Sequence, residues 1–260
     1  MIKIDKNTKG VAMFDRAQWF LAGMSIAFSV HLSHPVTAVP VGKAVQIAQT
    51  NSSNAAPKVY EEAEKLEEQR TAEALRGAIV KYKEALKLYR KAGDRNREAT
   101  TLTRIGVVYD NLEEKQKALE YYNQSLPLSR EVGDRKQEAI TLTSIGDVYS
   151  DLGKNPEALE YYNQALPLSR GVGDHKQEAI TLNGIGQLYL DWGEQHKALE
   201  YYNQSLSIFQ AVGDRRGEAY TLNNIGQVYS ALGEKQKMLE YYSQSLPLFR
   251  NCSITAAWGI

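Results

Sequence analysis

The stretch Asp134–Gly173 reads DRKQEAITLTSIGDVYSDLGKNPEALEYYNQALPLSRGVG, and it recurs. Blocks opening at Asp94, Asp174 and Asp214 repeat it in steps of 40 residues with almost no insertion or deletion. A fixed period of this size marks a solenoid, in which each unit buries its apolar face only against its neighbours. Leu142, Ile145, Gly146, Tyr149 and Leu152 are spaced by three and four, which makes one stripe of an amphipathic helix over 136–152. Asp134 precedes it as an N-cap, and Glu138 places negative charge in the first turn, where the helix dipole favours it. Gly153 follows the last apolar position and suits a left-handed C′ residue. Block one has Glu113 there, which costs from a few tenths to about 1 kcal/mol relative to glycine. A second helix begins near Pro156 and carries the stripe Ala158, Tyr162, Ala165 and Leu166. Gly146 and Ala158 are small where the two helices approach, while Tyr149 and Tyr162 are large where they diverge. The expectation is an all-α array of antiparallel helix pairs.

The order Leu142, Ile145, Gly146, Tyr149, Ala158, Tyr162, Ala165 resembles the tetratricopeptide repeat family. Block three gives Leu182, Ile185, Gly186, Tyr189, Ala198, Tyr202 and Ser205 in the same order. The unit is longer than the family's usual ~34 residues and lacks its final proline. With its TLNNIG-like first helix, it resembles the kinesin-light-chain type of repeat. The resemblance implies a right-handed superhelical solenoid, with repeats at 99–132, 139–172, 179–212 and 219–252. Before them, Ala78, Tyr82, Ala85 and Leu86 keep register with Ala118, Tyr122, Ser125 and Leu126. Lys65, Leu66 and Gln69, however, stand where later blocks have Ile, Gly and Tyr. Residues 58–95 therefore read as a degenerate leading repeat whose polar outer face caps the array.

Outside the repeats the chain changes character. Lys3, Lys6, Lys9 and Arg16 precede the apolar run Trp19–Val30 and a small-residue exit ending at Ala38. This describes a signal peptide over 1–38 and an exported, periplasmic or secreted protein. The alternative is an uncleaved anchor in the inner membrane, although the apolar run falls short of the roughly 20 residues a span requires. Residues 39–57 are small and polar and read as a flexible linker. Pro127, Pro167 and Pro247 lie well inside the second helices, so a bend or break is expected there and a straighter helix at Ser207. After Arg250 the Val-Gly-Asp turn fails to appear. Residues 253–260 read as an irregular tail from a frameshifted or truncated gene, or as a tail whose Trp258 and Ile260 fold back over the last pair.

The chemistry-bearing residues are sparse. Formal net charge is zero and the charges are interleaved, so nothing draws nucleic acid. One cysteine and four scattered histidines offer no metal cluster and no nucleophile–base pair, so neither an enzyme nor a cofactor is expected. The recurring tyrosines, including Tyr121-Tyr122, Tyr161-Tyr162 and Tyr201-Tyr202, could stack on bases, but with no basic groove they read as repeat core. Gly184-Ile185-Gly186 is a mid-helix packing feature and not a phosphate loop. The resemblance places a concave groove on the first helices. It points to Arg104, Ser144, Asp147, Asn183, Gln187, Asn223, Asn224 and Gln227, with Thr103, Thr143 and Tyr220 among their neighbours. Side-chain amides there can satisfy both the N–H and C=O of an extended peptide. Arg104 is one cation without companions in sequence, which argues against a clamp for a C-terminal carboxylate.

Three functional readings stand. The first is a scaffold that binds a protein or peptide on the concave face. The second rests on resemblance to the N-terminal parts of bacterial, often cyanobacterial, proteins that end in a caspase-like peptidase domain of the CHAT type. It makes the chain the scaffold half of such an enzyme, inactive alone. The third is a homo-oligomer formed through the uncapped Met238–Phe249 face of the last repeat.

Overall fold

The computed structural model describes residues 41–258, with side chains from 54 to 250. The signal segment read at 1–38 lies outside the described residues. Ten helices run in order: α1 (Val41–Glu67), α2 (Ala72–Ala92), α3 (Arg95–Asn111), α4 (Lys115–Val132), α5 (Arg135–Asp151), α6 (Asn155–Gly171), α7 (His175–Asp191), α8 (Gln195–Val212), α9 (Arg215–Ala231) and α10 (Lys235–Trp258). They pack as five successive hairpins, α1 with α2 through α9 with α10, and each second helix also packs on the next first helix. No strand occurs among the described residues.

Local chemistry sets the helix limits. Asp94, Asp134, Asp174 and Asp214 each accept the backbone N–H three residues on, at 3.0, 2.9, 3.1 and 2.9 Å, and so start the four repeated first helices. The turns into the second helices use φ of +70°, +72° and +75° at Gly153, Gly193 and Gly233. Glu113 holds the same left-handed conformation at φ +59°, the strain its sequence position implies.

The pairs are joined by a ring seated on a glycine. A Cβ built on Gly106, Gly146, Gly186 or Gly226 would lie 2.4, 2.6, 2.8 or 2.5 Å from the ring of Tyr122, Tyr162, Tyr202 or Tyr242. The sequence reading paired the small residues Gly146 and Ala158 with each other. In the structure Gly146 makes room for the ring of Tyr162. The same ring also presses on the next repeat, since a Cβ on Gly184 would lie 2.6 Å from its Cζ. The two glycines of Gly184-Ile185-Gly186 thus serve two different tyrosines.

A second joint went unread in the sequence. Glu138 is 4% exposed, and it accepts from Arg130 Nε at 2.7 Å and from Arg135 Nη1 at 2.8 Å. Glu98 and Glu178 are held the same way by Arg90 and Arg170, at 2.8 and 2.7 Å. At the last joint Gln210 replaces the arginine and reaches Glu218 at 3.1 Å. An Arg–Glu spacing of eight marks this joint in the sequence, whereas the apolar period alone assigns Glu138 only a helix-dipole role.

Three expectations are corrected. The linker read at 39–57 is helical from Val41 and continuous with α1. Ala56 and Ala63 of this helix are fully buried in contact with α2, and an anchored helix propagates outward at little cost per residue. Of the bend or break expected at proline, the break does not occur: α4, α6 and α10 run through Pro127, Pro167 and Pro247, and α8, with Ser207, is 18 residues long like α4. Residues 253–258, read as an irregular tail, continue α10 as helix. Ser253 stands at the position where Gly133 and Gly213 adopt the left-handed turn that ends α4 and α8.

If the tyrosine seat sets the spacing of the pairs, Gly146→Ala costs stability although alanine favours helix. The net loss should be about 1–2 kcal/mol in urea unfolding. A gain would show that the ring has room to move.

Candidate binding face

Consecutive first helices touch one another, α3 with α5, α5 with α7 and α7 with α9, while consecutive second helices make no comparable contact. The first helices therefore form the inner, concave side. Curvature brings Arg216 of α9 into the same cavity as Glu64, Glu67 and Glu68 of α1 and Arg104 of α3, with a volume of about 630 Å³. Arg70 lines it too. Arg104 thus has two cationic companions in space that sequence spacing could not show. They share the cavity with three carboxylates, and Arg104 lies 3.8 Å from Glu67.

The tyrosines decide the chemistry of this face. Tyr162 passes from α6 between Gly146 and Gly184, and its hydroxyl donates to Asp147 Oδ1 at 2.7 Å. Tyr202 donates to Gln187 Oε1 at 3.1 Å, and Tyr82 to Glu67 at 2.6 Å. The other amide end of Gln187 donates to Asp191 at 2.8 Å. Ser144 sits beside the Tyr122 hydroxyl. Four of the eight groove candidates, Arg104, Ser144, Asp147 and Gln187, are therefore engaged within the fold. Thr103 and Thr143 do not line a groove at all. Both are buried, in hydroxyl contacts with Thr141 at 3.0 Å and Thr181 at 2.9 Å.

The other four lie at the far end. Asn183 donates through Nδ2 to Thr221 Oγ1 at 2.8 Å, and its Oδ1 is buried without a partner. Asn223 and Asn224 are half-buried and Gln227 is exposed, and none makes a side-chain hydrogen bond among the described residues. The amides without any side-chain bond thus lie on α9, where Asn223 occupies the repeat position of the buried Thr103 and Thr143.

The tyrosines of the opposite register are self-satisfied. Tyr109 stacks on Tyr121, Tyr149 on Tyr161, Tyr189 on Tyr201 and Tyr229 on Tyr241, at 5.3–5.4 Å between centroids. Lys117, Lys154, Lys197 and Lys237 lie over the Tyr109, Tyr149, Tyr189 and Tyr229 rings. One face of each ring is already covered by its partner ring.

Desolvation pushes the Asp147 carboxyl up to about 7, against the Tyr162 hydroxyl bond, which lowers it. Burial, with the Asp147 charge adding to it, raises the Tyr162 phenol as well, so the hydroxyl keeps its proton. A carboxyl whose folded pKa lies above its ordinary ~3.9 loses stability as pH rises through the folded value. Asp147→Asn keeps an acceptor for Tyr162 and removes the charge. It should stabilise the array by about 1 kcal/mol or more at pH 8 and by much less at pH 4. Thermal unfolding at the two pH values checks this, and equal shifts would contradict it.

The comparisons with known proteins agree with this geometry. The chain matches the tetratricopeptide repeat family over residues 69–131, 137–211 and 196–251. No curated protein sequence matches it. Among solved structures, BtubC (BKLC) from P. vanneervenii superposes with a TM-score of 0.63 at 22% identity, covering 82% of this chain and 89% of that one. A kinesin light chain of Podosopora anserina with nearly identical TPR-like repeats gives 0.56 at 13% identity, covering 76% and 97%. A Rap protein complexed with Competence and Sporulation Factor gives 0.66 at 18% identity, covering 73% of this chain and 52% of that chain, about half its length. The solved structures share the fold, and the match through all four repeats settles the family: the chain belongs to the tetratricopeptide repeat proteins.

Proposed function

We propose that the protein is an interaction scaffold that holds a partner polypeptide in extended form along its concave face. The observation that carries the reading is the pair of unengaged amides Asn224 and Gln227 on α9, the helix whose Arg216 lines the inner cavity, with Asn223 and Asn183 beside them. Amides on a preformed wall can pair with backbone N–H and C=O without an ordering cost in the protein. The Rap protein of similar fold was solved with Competence and Sporulation Factor, which supports a bound partner here without naming one. The basic and apolar start of the chain makes the partner an extracytoplasmic one in this proposal.

A second reading has its own observation. Leu119 and Leu126 of α4 are 7% and 9% exposed, covered by the repeat that follows. Their counterparts on α10, Leu239 and Leu246, are 63% and 60% exposed. This face is complementary to a further helix pair, and a second copy of the chain can supply one.

Panning a displayed random-peptide library on the full chain tests the first reading. Peptides so obtained should bind Asn223→Ala/Asn224→Ala at least about tenfold more weakly by calorimetry, the loss of one or two amide bonds. Unchanged affinity would remove the concave face from the function. Sedimentation equilibrium tests the second reading. Average mass should rise with concentration in the wild type and stay at the monomer value in Leu239→Lys/Leu246→Lys, whereas a concentration-independent monomer in both would exclude self-association.

A further inference from the structure

Each first helix seats on the pair before it through one recurring set of groups. Leu159 and Leu166 of α6 pack in one cluster with Ile185 and Leu188 of α7, and Leu199 and Leu206 of α8 in another with Ile225 and Val228 of α9. The preceding second helix adds the arginine that holds the incoming glutamate, as Arg170 holds Glu178 at 2.7 Å. Three residues after that glutamate comes a threonine, and the preceding first helix reaches it. The Thr103 and Thr141 hydroxyls meet at 3.0 Å and those of Thr143 and Thr181 at 2.9 Å, while Asn183 donates to Thr221 at 2.8 Å. At α5, Gln137 adds a bond of 2.9 Å to Thr103. At α9, Gly217 replaces that glutamine, and the Phe209 ring packs against it beside a cavity of about 240 Å³.

The receiving half of this joint recurs on the α9–α10 pair with nothing seated on it. Leu239 and Leu246 hold the places of Leu159 and Leu166, and both are exposed. Arg250 holds the place of Arg170, and Asn223 that of Thr143 and Asn183. Neither side chain has a bond or an ion pair among the described residues. Because α10 runs on as helix to Trp258, the described chain lays no helix of its own over this face. The entering half is a stripe such as Glu138, Thr141, Ile145 and Val148 of α5. In α1 the same positions carry Lys58, Glu61 and Lys65, all exposed. A second copy that offered its α1 would set Lys58 against Arg250 and charged groups against Leu239 and Leu246. Its α3, α5, α7 and α9 already bury their glutamate and threonine in joints of their own.

We propose that the α9–α10 face is a docking site for a helix of another protein, one in which a glutamate is followed by threonine after three residues and by aliphatic residues after seven and ten, as in α5. Arg250 takes the glutamate, Asn223 takes the threonine, and Leu239 and Leu246 cover the aliphatic pair. Three joints within the chain show this chemistry seated on an equivalent surface, so the occupant is a first helix of the same type, supplied in trans. The inference rests on the reading of this face as an interface, and it names an occupant other than a second copy. It is independent of the concave face.

The probe is a synthetic peptide with the 17-residue α5 sequence Arg135–Asp151, held helical by a lactam bridge on its outward side. Its binding to the full chain is followed by fluorescence anisotropy. Leu239→Lys/Leu246→Lys should weaken Kd at least about a hundredfold, and Arg250→Glu about tenfold. A peptide carrying Glu138→Arg should bind the Arg250→Glu chain better than it binds the wild type. The three changed positions are exposed, so the variants keep the fold, and circular dichroism checks that they do. A peptide that does not bind, or binds both variants as it binds the wild type, overturns the proposal. Sedimentation of the chain alone separates this inference from self-association. A dimer that Leu239→Lys/Leu246→Lys abolishes and the peptide does not dissociate makes a second copy the occupant, which overturns the proposal and leaves self-association standing. A monomer that binds the peptide through Arg250 supports the proposal and excludes self-association.

Discussion

The rest of the array depends on a tyrosine ring lying flat against a helix that has no side chain at that point. The seat recurs from Gly106 and Tyr122 to Gly226 and Tyr242. It fixes how closely the two helices of a pair approach, because a ring fills the space that even one Cβ would need. The phenol is amphipathic, so the same side chain that closes the core must bring its hydroxyl to a partner. For Tyr162 and Tyr202 that partner lies on the inner face, at Asp147 and Gln187. Packing and surface chemistry are therefore one decision here. A position that looks like a ligand-binding side chain in one repeat can be the anchor of a core residue.

What could be read from the chain follows from how local each cause is. The period, the aspartate caps and the left-handed turns act within a few residues, so Asp134, Gly153 and Glu113 announced their roles directly. The helix at 41–57 did not, because its stability comes from Ala56 and Ala63 packing on α2 and not from its own composition. The groove was legible as a set of first-helix positions. Its division into engaged and unengaged residues was not, since that depends on which hydroxyl arrives from the second helix. Arg70 and Arg216 were beyond reach altogether. Only the curvature of several repeats brings them to Arg104.

The repeats are alike in sequence but unequal at their joints. Three of them hold a buried glutamate between an arginine of the preceding helix and a nitrogen-bearing side chain at the start of its own: Arg90, Arg130 and Arg170 in the first role, and Arg95, Arg135 and His175 in the second. At the fourth, Gln210, Phe209 and Gly217 stand together in place of the Arg, Ser and Gln of the second and third joints. A charged clamp and a polar bridge have been exchanged for an aromatic contact and open space.

That exchange sets where the array comes apart. A solenoid behaves as a row of units, each with a small intrinsic stability and a coupling to its neighbours, so its opening begins at the weakest coupling. With Gln210 in place of arginine, the α9–α10 hairpin is the unit held by the least charge-assisted hydrogen bonding. Opening at this joint would expose the α8 surface while the earlier repeats stay folded. A polypeptide lying across α7 and α9 would bridge this same coupling. Occupancy of the inner face and cooperativity of unfolding are then linked, and the bound array melts more nearly as one unit than the free one.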